Sequence, residues 1–272
     1  MPVKKGSKKA SKIKDVNALL GVMDVVFIID STGSMGHLIV EAQTRVVSIL
    51  QTLQTDKDLD IKVALIAYRD HPPQDYSFIT QVYGFDNIDK FQTSLNALVA
   101  AGGGDAPEAV WPAVKELAAL QWRENSDRIV YLIGDSPPHG FGAYGDAWPQ
   151  GDPSNITTEQ LISMLKELKI QLNAHSIANN AETTKAFTLL TEATGGQISV
   201  GDRAQDTTSL YESTMTTRSD SIGTSRAMYA ATMASYGEYT PDSAMVTANA
   251  MGIDSTAAKD AVKYLADRGI TE

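Results

Sequence analysis

The chain has 272 residues, of which 43% are hydrophobic and 21% are charged, so it is long enough for one domain of roughly 200 residues with additional segments. It contains no cysteine, which excludes a disulfide framework, thiolate zinc sites and a cysteine nucleophile. No apolar run approaches the roughly 20 residues that a membrane-spanning helix needs, and no apolar segment typical of a secretory signal follows the first lysines. We therefore expect a cytoplasmic protein without a membrane span.

The formal net charge of -10 conceals an uneven distribution. Residues 1–14 contain six lysines and no acidic residue, so the rest of the chain carries 17 of the 23 basic residues and all 33 acidic residues. An acidic body argues against nucleic acid as a specific partner, because contacts to phosphates need a cationic surface. We expect residues 1–19 to form a lysine-rich disordered arm.

Buried strands and amphipathic helices alternate along the chain. Residues 24–30 form a nearly continuous apolar run that ends in Asp30, which is typical of a strand buried on both faces. Further strands are predicted at 61–70, 76–83, 128–135, 170–177 and 197–200. Helices are predicted at 38–53, 87–99, 107–120, 158–169 and 182–193. This order predicts an α/β fold: a Rossmann-like, doubly wound, mainly parallel central sheet with helices on both faces.

From about residue 202 the composition shifts to Ala, Ser, Thr and Met. We expect one helix around Leu210 and Met215, and two or three helical segments after Gly223, with breaks near 240–241 and 252–254. The predicted organisation is a domain at 20–220 followed by a helical extension at 221–272.

Three loops that follow predicted elements carry acidic and hydroxyl side chains, at 30–34 (DSTGS), 102–108 (GGGDAPE) and 135–140 (DSPPHG). In an open parallel sheet, ligands bind beyond the carboxyl ends of the strands. Carboxylate and hydroxyl oxygens favour Mg²⁺, Mn²⁺ or Ca²⁺ over zinc or copper, and such a cation offsets the repulsion among the carboxylates. The three loops together predict a divalent metal site, although any one of these residues alone is more typical of a helix cap or a turn.

These motifs resemble the von Willebrand factor A domain and its metal-ion-dependent adhesion site. The strand followed by DSTGSM, the GGGDAPEA loop and the strand followed by GDSPPHG occur in the order of that family. The segment YRDHPPQD at 68–75 strengthens the match. The set is most similar to the A domains found beside atypical alpha-kinases, over roughly residues 20–203, or to 220 if the last helix is included.

The resemblance implies a ligand set. Asp30, Thr32 and Ser34 match the family's metal-binding loop, with both hydroxyls as direct ligands and the carboxylate often acting through water. Asp135 matches the acidic residue after the fourth strand, and Asp105 stands in the loop that usually supplies a threonine. The implied cofactor is Mg²⁺, with Mn²⁺ or Ca²⁺ as alternatives. In family members that bind ligands, an acidic side chain of the protein partner completes the coordination of the metal.

Other residues near this edge have separate expectations. His37, Asp70 and His139 lie in loops that would form the rim, and they are candidates for contact with a partner. Glu108 is expected in the first turn of the helix that begins near Pro107, where the helix dipole favours an acidic residue.

We expect a protein-binding module rather than an enzyme, because no pairing of a nucleophile with a base is evident in the sequence. Two alternatives stay open. One is a structural or assembly protein that oligomerises through the helical tail. The other is a Mg²⁺-dependent phosphoryl-transfer enzyme, in which Thr32 would occupy the place of the second aspartate of haloacid-dehalogenase-type phosphatases. A kinase is excluded, since a Gly-rich loop with its lysine, an HRD-like triplet and a DFG motif are all missing.

Overall fold

The computed structural model describes residues 21–36, 39, 43, 46, 47, 50, 59–201 and 204–270. The predicted arm at 1–19 and the rim candidate His37 lie outside these residues. The chain divides into two compact units, one at 22–217 and one that contains the residues from Arg218 onward. In the part of the chain that is described, no helix has the length and apolar character needed to cross a membrane.

The unit at 22–217 is built on a six-stranded sheet with the strand order β3-β2-β1-β4-β5-β6. The strands are β1 (Val22–Asp30), β2 (Asp60–Tyr68), β3 (Thr80–Asp86), β4 (Asp127–Gly134), β5 (Ile170–Ser176) and β6 (Ile198–Val200). β3 runs antiparallel to β2, and the other neighbouring pairs are parallel. The strand order reverses between β1 and β4, so the crevice expected for a ligand lies at the carboxyl ends of these two strands.

Helices cover both faces of the sheet, as predicted. They are α1 (Ile88–Asn96), α2 (Val110–Lys115), α3 (Thr158–Glu167), α4 (Ala181–Thr194) and the beginning of α5 (Ala204–Tyr236). On one face, Val26 and Leu172 belong to a buried cluster with Val110 of α2, Leu165 of α3 and Phe187 of α4. The alternation of side chains along each strand places the neighbouring residues of the sheet on the opposite face.

The opposite face is centred on Phe27. Its ring lies 5.3 Å from the rings of Phe91 in α1 and Tyr131 in β4, and 5.6 Å from the ring of Tyr211 in α5. These offset and edge-on contacts add to the burial of apolar area. The sheet is therefore buried on both sides, which explains why its central strands are continuous apolar runs in the sequence.

The helix predicted at 38–53 falls mostly outside the described residues. Those that are described, Ile39, Gln43, Val46, Val47 and Leu50, are helical, and the four apolar ones are buried.

The predicted strand at 76–83 is observed at 80–86, because residues 70–79 form a turn. Asp75 Oδ1 accepts hydrogen bonds from the backbone N–H and the hydroxyl of Ser77, at 2.7 and 2.5 Å. The N–H of Arg69 donates to the carbonyl of Ile79, at 3.0 Å, and closes the turn. A local turn built from a side chain thus replaces the first residues of the expected strand.

The helix predicted over 107–120 starts later than expected, and its last turn is a 3-10 helix that ends near the expected residue. α2 begins at Val110 and ends at Lys115, and a 3-10 turn follows at Glu116–Ala119. The cause of the late start is a contact of Glu108, whose N–H donates to the carbonyl of Pro137 at 2.9 Å. Glu108 also forms an isolated parallel bridge with residue 138, which keeps its backbone out of the helix.

The helix expected around Leu210 and Met215 and the first helical segment expected after Gly223 form one continuous helix, α5, which ends at Tyr236. Two shorter helices follow, α6 (Pro241–Ala250) and α7 (Ser255–Ala266), and they agree with the breaks predicted from the sequence. Thr240 caps α6 in a reciprocal capping box with Ser243, and Asp254 accepts two backbone hydrogen bonds at the start of α7.

Candidate metal-binding site

The loop after β1 brings three of the predicted ligands together. Asp30 is fully buried, and its Oδ1 accepts hydrogen bonds from the backbone N–H of Thr32 at 2.8 Å and from the Thr32 hydroxyl at 2.6 Å. Thr32 Oγ1 lies 3.2 Å from Ser34 Oγ. Ser34 is exposed, so this loop leads from a buried carboxylate to solvent.

Backbone hydrogen bonds fix this loop between its neighbours. The N–H and the hydroxyl of Ser31 both donate to the carbonyl of Tyr68 at the end of β2, each at 2.9 Å. The N–H of Ala101 donates to the carbonyl of Ser31 at 3.0 Å, and the N–H of Gly33 donates to the carbonyl of Gly102 at 3.1 Å. The glycine-rich segment is therefore held directly against the end of β1.

Asp135 and Tyr68 approach Asp30 from the neighbouring strands. Burial and, next, the charge of Asp135 together raise the pKa of Asp30 to about 7. A Cβ atom at Gly134 would clash with the Tyr68 hydroxyl and would lie 3.4 Å from Asp30 Oδ2, so both oxygens border the bare side of this glycine. Burial and the charge of Asp30 also raise the pKa of Tyr68 well above its ordinary value, which keeps the phenol neutral.

Glu108 is part of this edge, whereas the sequence predicted that it lies in the first turn of a helix. The residue is 3% exposed. A Cβ atom at Gly103 would lie 2.7 Å from Glu108 Oε1 and 3.3 Å from Thr32 Cβ, so the carboxylate and Thr32 border the same space. Burial raises the pKa of Glu108 to about 11, with the charge of Asp30 as the next cause. No local signal could have shown this, because the position depends on the contact of Glu108 with the loop after β4.

Asp105 lies in a different group of side chains, together with Asp70 and His139. Its Oδ2 accepts a hydrogen bond from the N–H of Ala147 at 2.8 Å. One carboxylate oxygen of Asp105, one of Asp70 and a ring nitrogen of His139 lie within 4.8 Å of one another, a group that could hold a metal ion. Burial and the neighbouring Asp70 raise the pKa of Asp105, and they outweigh the opposing hydrogen bond from Ala147.

His139 is held between two carboxylates. Its Nε2 lies 2.9 Å from Asp70 Oδ1, and its Nδ1 lies 2.8 Å from Asp146 Oδ1. Burial lowers the pKa of His139, but the hydrogen bonds and charges of Asp70 and Asp146 outweigh burial and raise the pKa above 6.5. The imidazolium form can donate to both carboxylates at once, so both ring nitrogens are already engaged.

The predicted rim residues Asp70 and His139 are 0% and 1% exposed, and this burial does not favour their direct contact with a partner. The ring of Trp148 covers His139 at 4.8 Å between centroids. Tyr76 and Tyr144, in the loops after β2 and β4, are 80% and 99% exposed, so both rings are open to solvent.

Several buried oxygens at this edge have no well-formed hydrogen bond to the described residues. They are Asp30 Oδ2, Tyr68 Oη, Asp70 Oδ2, Asp105 Oδ1 and Glu108 Oε2. Buried polar atoms are nearly always bonded in native proteins, and a buried carboxylate without a partner is costly. A cation with its water molecules would satisfy such a group of oxygens, so the residues present fit a hard metal ion.

A sequence model described as von Willebrand factor A domain matches residues 24–202. The chain belongs to this family. It is 30% identical over 151 residues to alpha-protein kinase vwkA of Dictyostelium discoideum, which covers 54% of this chain and 24% of that protein. It is 26% identical over 184 residues to the ariadne-like RING finger protein R811 of Acanthamoeba polyphaga mimivirus. This match covers 65% of this chain and 18% of that protein. The predicted similarity to A domains of alpha-kinase proteins is confirmed, and the chain spans about a quarter or less of these relatives.

Solved structures confirm the fold of this von Willebrand factor A domain. The open conformation of the pilus adhesin SpaC from Lactobacillus rhamnosus GG has a TM-score of 0.55 at 15% identity, covering 73% of this chain and 30% of that chain. The conserved hypothetical protein BatB from Bacteroides thetaiotaomicron has a TM-score of 0.50 at 12% identity, covering 73% of this chain and 99% of that chain. At these identities the likeness concerns the architecture alone.

Proposed function

We propose that this von Willebrand factor A domain is a protein-binding module that depends on a divalent cation at the carboxyl ends of β1 and β4. The observation that carries the proposal is the fully buried Asp30 carboxylate, whose Oδ2 has no well-formed hydrogen bond to the described residues although it lies beside other oxygens. Asp30, Thr32, Ser34 and Asp135 would hold the cation. The sequence-based set also includes Asp105, which lies with the group around His139.

Mg²⁺, Mn²⁺ and Ca²⁺ all suit a set of carboxylate and hydroxyl oxygens. A bound cation would offset the repulsion between Asp30 and Asp135 and would present positive charge to a carboxylate of a partner. The exposure of Ser34 and the partial exposure of Asp135 leave a path for that carboxylate. The exposed rings of Tyr76 and Tyr144 would add contact area, since tyrosine is enriched in protein interfaces.

Binding is favoured over phosphoryl transfer by the contacts of Thr32. This residue occupies the position where the phosphatase alternative requires a carboxylic acid, and its hydroxyl donates to Asp30 Oδ1. A hydroxyl bonded in this way orients the carboxylate and has no acidic proton to give to a leaving group. SpaC, which shares the fold, is an adhesin, and this agrees with a binding role.

Thermal unfolding of the full chain tests the metal. Wild-type protein is measured in EDTA and then in millimolar Mg²⁺, Mn²⁺ or Ca²⁺. A cation at about 100 times its Kd adds about 2.7 kcal/mol, which is roughly 5–11 °C for a domain of this size. Asp30→Asn should lose this increase, and Glu124→Gln, an exposed acid before β4, should keep it. An unchanged melting temperature of the wild type with every ion would contradict the metal site.

Binding of acidic peptides tests the partner. Phage-displayed peptides selected on the Mg²⁺-loaded protein and eluted with EDTA should contain Asp or Glu. Each synthetic peptide is then compared with its Asn or Gln counterpart, and we expect the amide form to lose binding. Peptides that bind equally in EDTA, or equally to Asp30→Asn, would show that the partner does not reach the metal.

A further inference from the structure

Three loops at the carboxyl ends of the strands each bring one metal-binding side chain to the group around His139. Asp70 follows β2, Asp105 lies in the loop before α2, and His139 follows β4. We propose that Asp70, Asp105 and His139 form a second metal site, which takes a divalent transition-metal ion such as Zn²⁺ or Co²⁺. This site shares no residue with the four that would hold the cation of the proposed function, and it does not depend on that function.

The ring of His139 is oriented as in a metal-binding histidine. Its Nδ1 lies 2.8 Å from Asp146 Oδ1, and the backbone N–H groups of Gly140 and Trp148 donate to the same carboxylate, each at 2.8 Å. A histidine ligand usually donates its second ring N–H to a carboxylate, which fixes the ring and increases its basicity. With Nδ1 held by Asp146, Nε2 is the nitrogen directed to Asp70, as a ligand of this site must be.

The spacing of the ligand atoms suits one ion. Nε2 of His139 lies 2.9 Å from Asp70 Oδ1. Two atoms that bind the same ion at about 2.0–2.2 Å lie about 2.8–3.6 Å apart at octahedral or tetrahedral angles. A carboxylate oxygen of Asp105 lies within 4.8 Å of the other two ligand atoms, and this partly exposed side chain has room to move toward an ion. The ion would connect three loops that are far apart in the sequence.

Two carboxylate oxygens of this group have no well-formed hydrogen bond to the described residues. Asp70 is fully buried, and its Oδ2 is one of them; the other is Oδ1 of Asp105. Burying a carboxylate oxygen without a partner is costly, and a cation would satisfy both. The two carboxyl groups are near enough to share a proton, which is the alternative to a metal. A shared proton would give the group no metal affinity.

The nitrogen donor determines the kind of ion. Imidazole suits zinc, copper, nickel and iron, whereas Mg²⁺ and Ca²⁺ take oxygen ligands. In the metal-free protein, a proton on Nε2 of His139 bridges the ring to Asp70. Binding of an ion replaces this hydrogen bond with two metal–ligand bonds and releases the proton to solvent. The site should therefore select a transition metal in the presence of excess Mg²⁺, which the oxygen ligands around Asp30 should not do.

Co²⁺ binding by the full chain in excess Mg²⁺, followed by the visible absorption of the bound ion, tests the site. The wild type and Asp30→Asn should each bind one Co²⁺, with affinities within a factor of about three, because Asp30 would act only as a more distant charge. Asp105→Asn should weaken Co²⁺ binding about tenfold or more, since even the indirect partners of metal ligands contribute 10–100-fold.

Pulsed electron paramagnetic resonance of Cu²⁺ added in equal amount identifies the nitrogen ligand. Coupling to an imidazole nitrogen should be present in the wild type and in the matched control His71→Gln, whose ring lies 5.7 Å from that of His139, and absent in His139→Gln. If His139→Gln does not fold, the partly exposed Asp105 decides the outcome through Asp105→Asn. The proposal is overturned if the wild type binds no Co²⁺ in excess Mg²⁺, if Asp105→Asn binds it like the wild type, or if Asp30→Asn abolishes binding. None of these results bears on the Mg²⁺-induced rise in melting temperature, which tests the proposed function.

Discussion

The buried histidine at the functional edge gives a test of the electrostatics. The side chain of His139 is 0% exposed, and those of its partners Asp70 and Asp146 are 0% and 2% exposed. Replacing His139 by glutamine keeps an amide for hydrogen bonding but removes the cation, so two buried carboxylates lose their counter-charge. Removing one partner of a buried ion pair costs about 3–5 kcal/mol. In a domain of this size the melting temperature should fall by roughly 6–20 °C.

The dependence of this loss on pH has a definite sign. The pKa of His139 is raised above its ordinary value of 6.5 in the folded protein. Its contribution to the free energy of unfolding is therefore fully present below pH 6.5 and disappears as the pH rises through the folded-state pKa. The difference between wild type and His139→Gln should be largest near pH 6 and should decrease at higher pH.

Denaturant unfolding in EDTA, followed by tryptophan fluorescence, measures this difference. The three tryptophans, Trp111, Trp122 and Trp148, all lie in the unit at 22–217, so the signal reports that unit. A loss below about 1 kcal/mol at pH 6, the value of an exposed pair, would refute the buried ion pair. A loss that grows with pH would show that His139 is neutral in the folded state. As a control, Asp146→Asn should reduce the effect of His139→Gln.

Three further predictions concern the carboxyl ends of the strands and the opposite edge of the sheet. Gly134→Ala should destabilise the protein by about 1–3 kcal/mol and abolish the metal-induced rise in melting temperature, because the new Cβ clashes with the Tyr68 hydroxyl; a retained rise would contradict this. Arg123→Met leaves the fully buried Asp24 without the guanidinium that it contacts at 2.7 Å, so unfolding should become easier by about 3–5 kcal/mol while the metal-induced rise stays unchanged. Mn²⁺ affinity should increase between pH 6 and pH 8, since the metal competes with a proton on Asp30, whose pKa is about 7 without metal; an affinity that falls over this range would refute the competition.

The parts of the fold that sequence reasoning found are those encoded by local patterns. The strand that ends in Asp30 is an apolar run between a turn and a carboxylate, and its contacts to Thr32 connect residues two positions apart. Asn87 caps α1, because its side chain accepts a hydrogen bond from the N–H of Lys90 in the next turn. Such contacts need no knowledge of the rest of the chain.

The errors arise where distant segments decide the local conformation. Glu108 has the sequence context of a first helical turn, with Pro107 before it, but a contact with the loop after β4 keeps it extended. The contact of Asp105 Oδ2 with the N–H of Ala147, and its place beside Asp70 and His139, likewise depend on segments far away in the chain.

The two acidic groups at the functional edge differ in how their charge is balanced. The group around Asp70 and Asp146 contains His139, whose pKa is raised because the hydrogen bonds and charges of these two carboxylates outweigh its burial, and its protonated form would offset their charge. For Glu108, the four strongest charge effects all come from other carboxylates, and the charge effect on Asp30 comes from Asp135. Keeping such buried carboxylates ionised carries a desolvation cost that a nearby positive charge would offset. On the proposed function, a divalent cation would supply the counter-charge of the group around Asp30, and a partner's carboxylate would bind at that cation.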